Sequence, residues 1–547
     1  MSTSLICPHC SSLLDGASTA TNTIQPPSAA AERLANSNEP PLDSSQDYEN
    51  NLAQTQAHLK LVAAEIARME KNLRVLQEKR DRLNGFVDTY KRILQPIRRL
   101  PEDVLREVFR MSTDDGSSHM DLFRSWKGVT TRTDSLSPHQ TPWKLGQISH
   151  HWREVALSYS LLWSFVAIDF PDPRSTKRCL SGMGSQLVRQ LQRSGRSKLT
   201  VSLHSDYLLD ANDPFLMAIC SHCDRWVALR ARFSPQNLQS LGNFIRGAIP
   251  NLHRLYLRNA NNQAYQPTEL KSIAAFELAP GLRDVTIKAQ CGLESLPIPW
   301  SQITLLRTPE AESETSAKYC YLRNMPNLHA FFVFITGLAT RNYSAAPAPP
   351  FLRILTIHSV STSYEDIENV LARLNPHSLW ELRISARLLP SFRAEIPAGV
   401  GKTLRLLCLK VQSLTSADAV RIFTSLPALE SLSLCNIRNE GLSDLASRDP
   451  STGKLRFLPR LLDLGLYASE ATSCDVPALL RLLENRFRHG SGFDIPTNEG
   501  EVQLQSVRIH RNISLPESSL QQLEILVSEG LHVDTSPPDW VHLFPGF

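Results

Sequence analysis

Apolar residues recur at alternating steps of three and four in the segment between residues 52 and 94. The positions are Leu52, Leu59, Val62, Ile66, Met69, Leu73, Leu76, Leu83, Val87, Tyr90 and Leu94. From Leu59 onward only Arg80 interrupts the alternation, which is typical of the a and d positions of a coiled coil. The pattern predicts one long helix over residues 49–95, which either self-associates or folds back on its own protein.

A second amphipathic segment follows at once, in "QPIRRLPEDVLREVFR" (residues 95–110). Pro96 ends the first helix because its ring forbids helical geometry in the residue before it. Pro101 suits the first position of a new helix, and Glu102 and Asp103 place negative charge on the first turn. The apolar residues of this segment are Ile97, Leu100, Val104, Leu105, Val108 and Phe109. A helix this short is barely stable alone, so we expect its apolar stripe to dock on another element.

A polar, turn-rich insert near residues 112–142 separates this helix from "WKLGQISHHWREVALSYSLLW". The apolar positions with helical spacing in the later segment are Leu145, Ile148, Trp152, Val155 and Ala156. Together with residues 96–111 they form a two- to three-helix unit of roughly 40 ordered residues, which is small for an independent core. We therefore expect a partner or the next domain to stabilise this unit.

The second half of the chain repeats a core of the form L-x-x-L-x-L with conservative replacements. Nine cores begin at Leu252, Leu282, Leu328, Leu352, Leu379, Leu404, Leu429, Leu461 and Leu504. Helical patterns lie between several cores, and "WSQITLLRT" from Trp300 is expected to be a degenerate unit. A strand followed by a helix every 25 residues or so is typical of leucine-rich repeats. The usual asparagine is mostly missing, with Asn512 the clearest match, so an irregular solenoid is predicted; a leucine-rich α/β domain that is not a solenoid is the alternative.

Composition excludes several classes of protein. The chain has 547 residues, 42% hydrophobic and 20% charged, and its formal net charge of +4 gives no argument for nucleic-acid binding. The longest apolar run, near residue 335, is far shorter than the roughly 20 residues that span a bilayer, and the N-terminus has no secretory pattern. Ten cysteines without framework spacing suggest reduced thiols. We expect a soluble protein of the cytoplasm or nucleus that contacts no membrane.

Four short motifs suggest chemistry that their context does not support. "AGVGKT" (residues 398–403) ends like a phosphate-binding loop, but Ile396 stands at its first glycine position and a strand-like segment follows it. "GMG" at Gly182 lacks a third glycine and is expected to be a loop. "CPHC" and "CSHC", at Cys7 and Cys220, each stand alone, whereas zinc needs four ligands. We therefore expect no catalytic site, no metal and no cofactor.

The two helical segments resemble an F-box. "PIRRLPEDVLREVF" resembles the opening Leu-Pro helix of that family, and "GQISHHWREVALSYSLLW" resembles its later helices. The order of coiled coil, F-box helix, variable insert, Trp-Arg helix and repeats is similar to a large fungal group of F-box proteins. Ser149 stands where a cysteine is commonest in the family, which exchanges one small residue for another.

The resemblance implies a substrate-receptor subunit of an SCF-type cullin–RING ubiquitin ligase. In such a subunit the F-box docks on a Skp-type adaptor, and through it on cullin, while the repeats bind a protein target. The residues expected to contact the adaptor are Leu100, Pro101, Val104, Leu105, Val108, Phe109, Leu145 and Trp152. The protein would supply proximity and would not be an enzyme. The alternatives are a scaffold that recruits no ligase and an enzyme whose site lies in the repeat loops.

The expected fold is α/β: a leucine-rich-repeat solenoid preceded by a small all-α F-box unit and a long coiled-coil helix. Residues 1–48 are rich in Ser, Ala, Asn, Pro and Asp, which predicts a disordered tail. The coiled coil then covers residues 49–95 and provides a route to a homodimer. The F-box with its insert covers residues 96–170, and the repeat domain covers residues 171–547.

Overall fold

The structure is a computed structural model of the 547-residue chain. It describes residues 29–37, 45–113, 135–170, 177–210, 212–260, 273–288, 296–308, 320–335, 349–360, 364–374, 376–386, 395–437, 439–451, 453–467, 476–488, 502–509 and 516–534. The chain forms two compact units, Met1–Pro101 and Glu102–Phe547.

The described residues of the first unit form two α-helices and one 3-10 turn: α1 (Ala29–Asn36), α2 (Ser45–Ile93) and Pro96–Arg99. The prediction of one long helix is confirmed by α2, which has 49 residues. Its apolar stripe from Leu52 to Tyr90 is open to solvent, since these side chains are 47–68% exposed. Within the described residues nothing covers the stripe. Helix α1 lies in the range for which the sequence predicted disorder.

The break at Pro96 follows the prediction. Helix α2 ends at Ile93, Gln95 is extended with ψ 128°, and Pro96 opens the 3-10 turn. An extended residue before proline is expected, because the proline ring clashes with a helical residue at that position.

The second unit begins with a group of short helices: α3 (Glu102–Thr113), α4 (Leu145–Ile148), α5 (His150–Ser158) and the 3-10 turn Ser160–Trp163. Part of the polar insert, residues 114–134, lies outside the described residues. The remainder differs from the predicted loop. Helix α3 continues to Thr113, and Ser135 and Leu136 are buried against the sheet that follows.

The rest of the second unit is built on a sheet of fourteen described strands, all parallel to their neighbours and in chain order. The strands are β1 (Phe165–Asp169), β2 (Leu199–His204), β3 (Trp226–Arg232), β4 (Arg254–Arg258), β5 (Asp284–Lys288), β6 (Leu305–Thr308), β7 (Ala330–Ile335), β8 (Ile354–Ser359), β9 (Glu381–Ala386), β10 (Leu406–Leu414), β11 (Ser431–Ile437), β12 (Asp463–Tyr467), β13 (Ser506–Ile509) and β14 (His532–Asp534). This sheet confirms the predicted α/β fold with a repeat array.

All nine predicted cores lead into strands. Each strand from β4 to β13, except β6, begins two residues after the first leucine of a core, as β4 does after Leu252. The degenerate unit at Trp300 supplies β6. Four strands were not predicted: β1, β2, β3 and β14. The sheet therefore starts at Phe165, inside the range assigned to the F-box-like unit.

The connections between strands are irregular, as predicted. Helices connect the strands toward both ends of the array: α6 (Lys177–Arg193), α7 (Pro214–Cys220), α8 (Pro235–Ile245), α9 (Glu365–Leu374), α10 (Ala398–Thr403), α11 (Ser416–Thr424), α12 (Asn439–Ala446), α13 (Val476–Phe487) and α14 (Glu517–Ser528). Only 3-10 turns are described in the connections from β4 to β7, at Ala274–Phe276, Trp300–Gln302 and Cys320–Asn324. Gly182 lies inside α6, so the prediction of a loop at "GMG" is wrong.

Alternation along each strand places one row of side chains in the core and the next on the open face of the sheet. In β4, for example, Leu255 and Leu257 are buried in the continuous core cluster, while Arg254 and Arg258 remain partly exposed. The repeats also share a backbone contact where the strands begin. One carbonyl accepts two N–H groups of the next repeat, as the Arg353 carbonyl does from Trp380 and Glu381. This contact fixes the register of one repeat on the next.

Candidate interaction site on the helical unit

Helix α3 carries apolar residues on an arc of roughly 160°, when 3.6 residues are placed on each turn. One half of the arc points inward, because Leu105 and Phe109 are fully buried. The other half contains Val104, Val108 and Met111, of which Val104 is 44% and Met111 60% exposed. The helix thus presents an inner apolar face and an outer one.

The inner face of α3 packs on α5. The rings of Phe109 and Trp152 lie with their centroids 4.9 Å apart at 56°. At the start of α3, Glu102 Oε1 accepts a hydrogen bond from Arg106 Nη2 at 2.7 Å and another from Ser158 Oγ at 3.3 Å. These contacts hold the two helices together at both ends of α3.

Ser149, the residue that differs from the commonest F-box pattern, immediately precedes helix α5. Its side chain accepts a hydrogen bond from the Trp152 backbone N–H at 3.2 Å, which caps the helix. Arg153 Nε donates to the Gly146 carbonyl at 2.7 Å and connects α5 to α4. Serine therefore has a local structural role here, because its hydroxyl accepts the bond that the first turn needs.

Two tryptophans connect the helical unit to the repeat array. Trp163 is buried, its Nε1 donates to the Ala156 carbonyl at 2.7 Å, and its ring meets that of Trp143 edge-on at 5.0 Å. The guanidinium of Arg193, at the end of α6, lies over both rings, 4.4 Å from the centroid of Trp163 and 4.9 Å from that of Trp143. Burial lowers the pKa of Arg193, and the positive charge of Arg189 lowers it further.

A polar network fastens the same region to the first strand. Ser135 Oγ lies 3.1 Å from both the Ala167 carbonyl and Gln190 Oε1, and it accepts from the Ala167 N–H at 2.9 Å. Gln190 Nε2 donates to the Phe165 carbonyl at 2.6 Å, and Trp143 Nε1 donates to the Ser135 carbonyl at 2.8 Å. Ser135 and Gln190 are buried, so the hydrogen bonds of the Ser135 hydroxyl are shielded from water. The helical unit and the sheet are therefore one packed body.

The structure places the eight predicted adaptor residues differently from one another. Leu105, Phe109 and Leu145 are buried inside the helical unit. Val108 and Trp152 are half-buried, and Val104 is exposed. In the first unit, Pro101 is exposed and Leu100 is half-buried. Adaptor contact stays a prediction, and the burial restricts which of these side chains a partner could touch.

Four exposed apolar residues of the helical unit were not among the predicted contacts. They are Met111, Ile148, Leu157 and Leu161. Met111 follows Val104 by seven residues and Val108 by three, a spacing that places all three on one side of a helix. That spacing is visible in the sequence. The exposure of Ile148, Leu157 and Leu161 depends on tertiary packing and cannot be predicted from the sequence.

The other candidate motifs have structural roles. In "AGVGKT", Gly401 lies so close to the Ser425 carbonyl that a Cβ atom there would overlap it, and Leu406 soon begins β10, as predicted. Cys220 and Cys223 are buried, and burial raises the pKa of both thiols. Cys7 lies outside the described residues. Among the described residues no group of three or more His, Cys, Asp or Glu side chains is placed to hold a metal ion.

No protein-family model and no curated protein matches the chain. Among solved structures, the chain is similar to the leucine-rich repeat-containing protein LegL7 from Legionella pneumophila, with 15% sequence identity and a TM-score of 0.32. The match covers 66% of this chain and 97% of that one. Separately, no helix in the described ranges has the length and apolar content needed to cross a bilayer.

Proposed function

We propose that this protein is a non-catalytic substrate receptor of an SCF-type cullin–RING ubiquitin ligase. Its helical unit would bind a Skp-type adaptor, and through it cullin, and its repeat array would bind a protein target. The supporting observation is the divided apolar arc of α3. A helix that needed only to complete its own unit would bury its apolar residues, whereas Val104 and Met111 remain exposed.

The packing of the helical unit on the sheet supports the same proposal. A receptor must hold its target at a defined place relative to the ligase, because its contribution is proximity rather than chemistry. The contacts of Arg193 with Trp143 and Trp163, together with the Ser135 network, join the adaptor-binding side to the first strand without a flexible linker.

The outer face of α3 would make the central contact with the adaptor. Val104, Val108 and Met111 supply its apolar part, and charged pairs border it. Arg110 donates to Glu107 Oε1 at 2.6 Å, and this hydrogen bond holds the pKa of the Glu107 carboxyl below its ordinary value. An apolar centre with a charged rim is the usual arrangement of a protein interface. Leu105, Phe109 and Leu145 would support this face from inside.

We also propose that the stripe of α2 mediates self-association, as a parallel or antiparallel coiled coil over residues 49–95. Its a and d side chains are all exposed among the described residues of the first unit, and they form the kind of stripe that a second copy of the helix would cover. A chain that self-associates but binds no adaptor would be the alternative, a scaffold without ligase recruitment.

The test compares Val104→Asp with Leu105→Asp in a binding assay with a purified Skp-type adaptor. An aspartate at the centre of an interface commonly costs more than about 2 kcal/mol, so Val104→Asp should weaken binding by roughly 30-fold or more. Its thermal melt should not change, because residue 104 is exposed. Leu105→Asp should lower the melting temperature, since it buries a charge without a partner.

Leu278→Asp is the matched control, because Leu278, like Val104, is an exposed aliphatic residue but lies in the repeat array. It should change neither the affinity for the adaptor nor the melting temperature. If the unaltered chain does not bind the adaptor, the ligase role is wrong. If Val104→Asp binds as tightly as the unaltered chain, the contact lies on another face.

A further inference from the structure

The heptad pattern of α2 determines which of its side chains would face a second helix. A d position follows its a position by three residues, so Leu59 is an a position and Val62 is a d position. Counted in this way, the a positions are Leu52, Leu59, Ile66, Leu73, Arg80, Val87 and Leu94, and the d positions are Tyr48, Thr55, Val62, Met69, Leu76, Leu83 and Tyr90. The Asp, Glu, Lys and Arg residues that flank this stripe are Glu65 and Lys79 at g positions, and Glu49, Glu70 and Lys91 at e positions. Each of these five side chains is described and at least partly exposed.

A parallel pair of α2 helices would bring like charges together. Equivalent a positions share a layer in that arrangement, so Arg80 of one copy would lie beside Arg80 of the other. Each g residue faces the e residue five positions later in the second copy, which places Glu65 opposite Glu70 twice. Among the e and g positions of α2 this arrangement forms no pair of opposite charge. Such like-charge contacts select against an orientation.

An antiparallel pair separates the two arginines, because each a position then faces a d position. With Leu52 opposite Tyr90 of the second copy, Arg80 lies beside Val62, and the two Arg80 residues are roughly 27 Å apart along the axis. The facing pairs are Tyr48 with Leu94, Leu52 with Tyr90, Thr55 with Val87, Leu59 with Leu83, Val62 with Arg80, Ile66 with Leu76, and Met69 with Leu73. Each pair occurs twice, so nearly the whole length of α2 is covered.

The same register places opposite charges side by side. In an antiparallel coil g positions face g positions and e positions face e positions, so Lys79 faces Glu65 and Lys91 faces Glu49. Each of these pairs occurs twice in the dimer. Glu70 alone faces its own equivalent. A shift by one heptad in either direction brings neither lysine opposite a glutamate, so the charges select this register among the antiparallel ones.

Two of these charged side chains also have partners on their own helix. Arg68 Nε donates to Glu65 Oε2 at 2.8 Å, and this hydrogen bond holds the pKa of the Glu65 carboxyl below its ordinary value. Arg80 Nε donates to Asp81 Oδ1 at 3.0 Å. Both contacts lie within one helix and are available in either orientation. The preference therefore depends on the pairs between copies.

We propose that α2 binds a second copy of itself in antiparallel orientation, with Leu52 of each copy facing Tyr90 of the other. This inference rests on the self-association proposed above and does not involve the adaptor. Helix α2 ends at Ile93 and the second unit begins at Glu102, so the second units of the two copies are attached at opposite ends of the coil. The two Ile93 residues are roughly 66 Å apart along the axis. Each copy would thus present its own adaptor and target separately.

The test measures dimer dissociation of the full chain by sedimentation equilibrium. K91E and E49K should each weaken the dimer about fivefold, because each places like charges in both Glu49–Lys91 pairs. The double variant E49K/K91E should bind at least about threefold more tightly than either single variant. Effects of the two changes on the ends of α2 itself would add, so only a direct pair between copies makes the double variant the tighter one. K71E is the matched control, since it makes the same change of charge at an outward f position; it should weaken the dimer less than twofold.

A second measurement identifies the facing residues directly. Isotope-labelled and unlabelled chains are mixed and treated with a carbodiimide, which joins a carboxylate to a lysine amine in contact with it. Mass spectrometry should find amides from Glu49 to Lys91 and from Glu65 to Lys79 that combine both labels.

The outcomes separate the two proposals. A chain that remains a monomer at every concentration would refute the self-association itself, and the orientation with it. A chain that dimerises would still refute the orientation if E49K/K91E bound no more tightly than the single variants, or if K91E weakened the dimer no more than K71E. Amides found only within one label would instead identify a helix folded back on its own chain.

Discussion

A buried arginine holds together the C-terminal third of the repeat array. Arg486, on α13, donates three hydrogen bonds to backbone carbonyls: Nε to Leu445 at 2.9 Å, Nη1 to Leu458 at 3.0 Å and Nη2 to Phe457 at 2.7 Å. The side chain is 3% exposed. It thus connects α13 to the end of α12 and to the turn before β12. Leu458 has a φ of +48°, a conformation that L-residues rarely adopt, so this turn depends on its surroundings.

Replacing Arg486 by Met keeps much of the side-chain volume and removes all three donors. The Leu458 carbonyl still accepts from the Leu461 N–H at 3.2 Å, so the carbonyls of Leu445 and Phe457 are the ones left without a donor. At about 1–3 kcal/mol each, they give about 2–6 kcal/mol in total. Part of that loss is offset, because the substitution also removes a buried charge and with it the cost of desolvating that charge. We therefore expect the free energy of unfolding to fall by about 2–4 kcal/mol.

Arg481→Met is the control, since Arg481 lies on the same helix and is exposed. It should change the free energy of unfolding by less than about 0.5 kcal/mol. The assay is urea unfolding of the full chain followed by circular dichroism and, because a repeat array can unfold in parts, by hydrogen exchange of α12 and α13. If Arg486→Met and Arg481→Met gave the same midpoint and exchange, the three carbonyls would not depend on Arg486.

Three further outcomes are expected. A peptide of residues 49–95 should be helical, with a melting temperature that rises with concentration. Arg80→Leu should raise that melting temperature, because it replaces the one charged residue in the a and d series. Sedimentation as a monomer at high concentration would contradict the coiled coil. A chain ending at residue 440 loses β12 to β14 and should melt less cooperatively or precipitate, whereas an unchanged melt would show that these strands do not stabilise the rest. Gly401→Ala should lower the melting temperature because its Cβ atom overlaps the Ser425 carbonyl, while Gly182→Ala, with open space on its helix, should raise it; equal shifts would refute this argument.

The leucine pattern was enough to predict most of the sheet. In each L-x-x-L-x-L core the second and third leucines alternate within the strand, and the first enters the core just before it, so the core positions can be identified from one sequence. The strands that were missed lack that leading leucine. β1 ("FVAID") places Val166 and Ile168 in the core and β2 ("LTVSLH") places Leu199, Val201 and Leu203 there, and only their two-residue alternation would have indicated strands.

The division of α3 into two faces could not be predicted from its own sequence. Val104 and Leu105 are both apolar and adjacent, and only the position of α5 decides that one is exposed and the other buried. Helix α5 begins about 40 residues later, beyond the insert. The same limit applies to Gly182. Two glycines lower helix propensity by about 1 kcal/mol each, yet Leu187 and Leu191 bury one face of α6 and outweigh that cost.

Net charge was the least informative property of the sequence, and the sheet register explains why. A value of +4 over 547 residues gave no argument for nucleic-acid binding and said nothing of where the charges lie. Arg232 and Arg258 are 26 residues apart in the chain, but the parallel register makes them neighbours in one row. In a repeat array, charges that recur once per repeat accumulate on one face while acidic residues elsewhere cancel them in the sum. The local charge of such a surface is therefore the sum over the residues that the register aligns across neighbouring strands. The net charge of the chain does not report it.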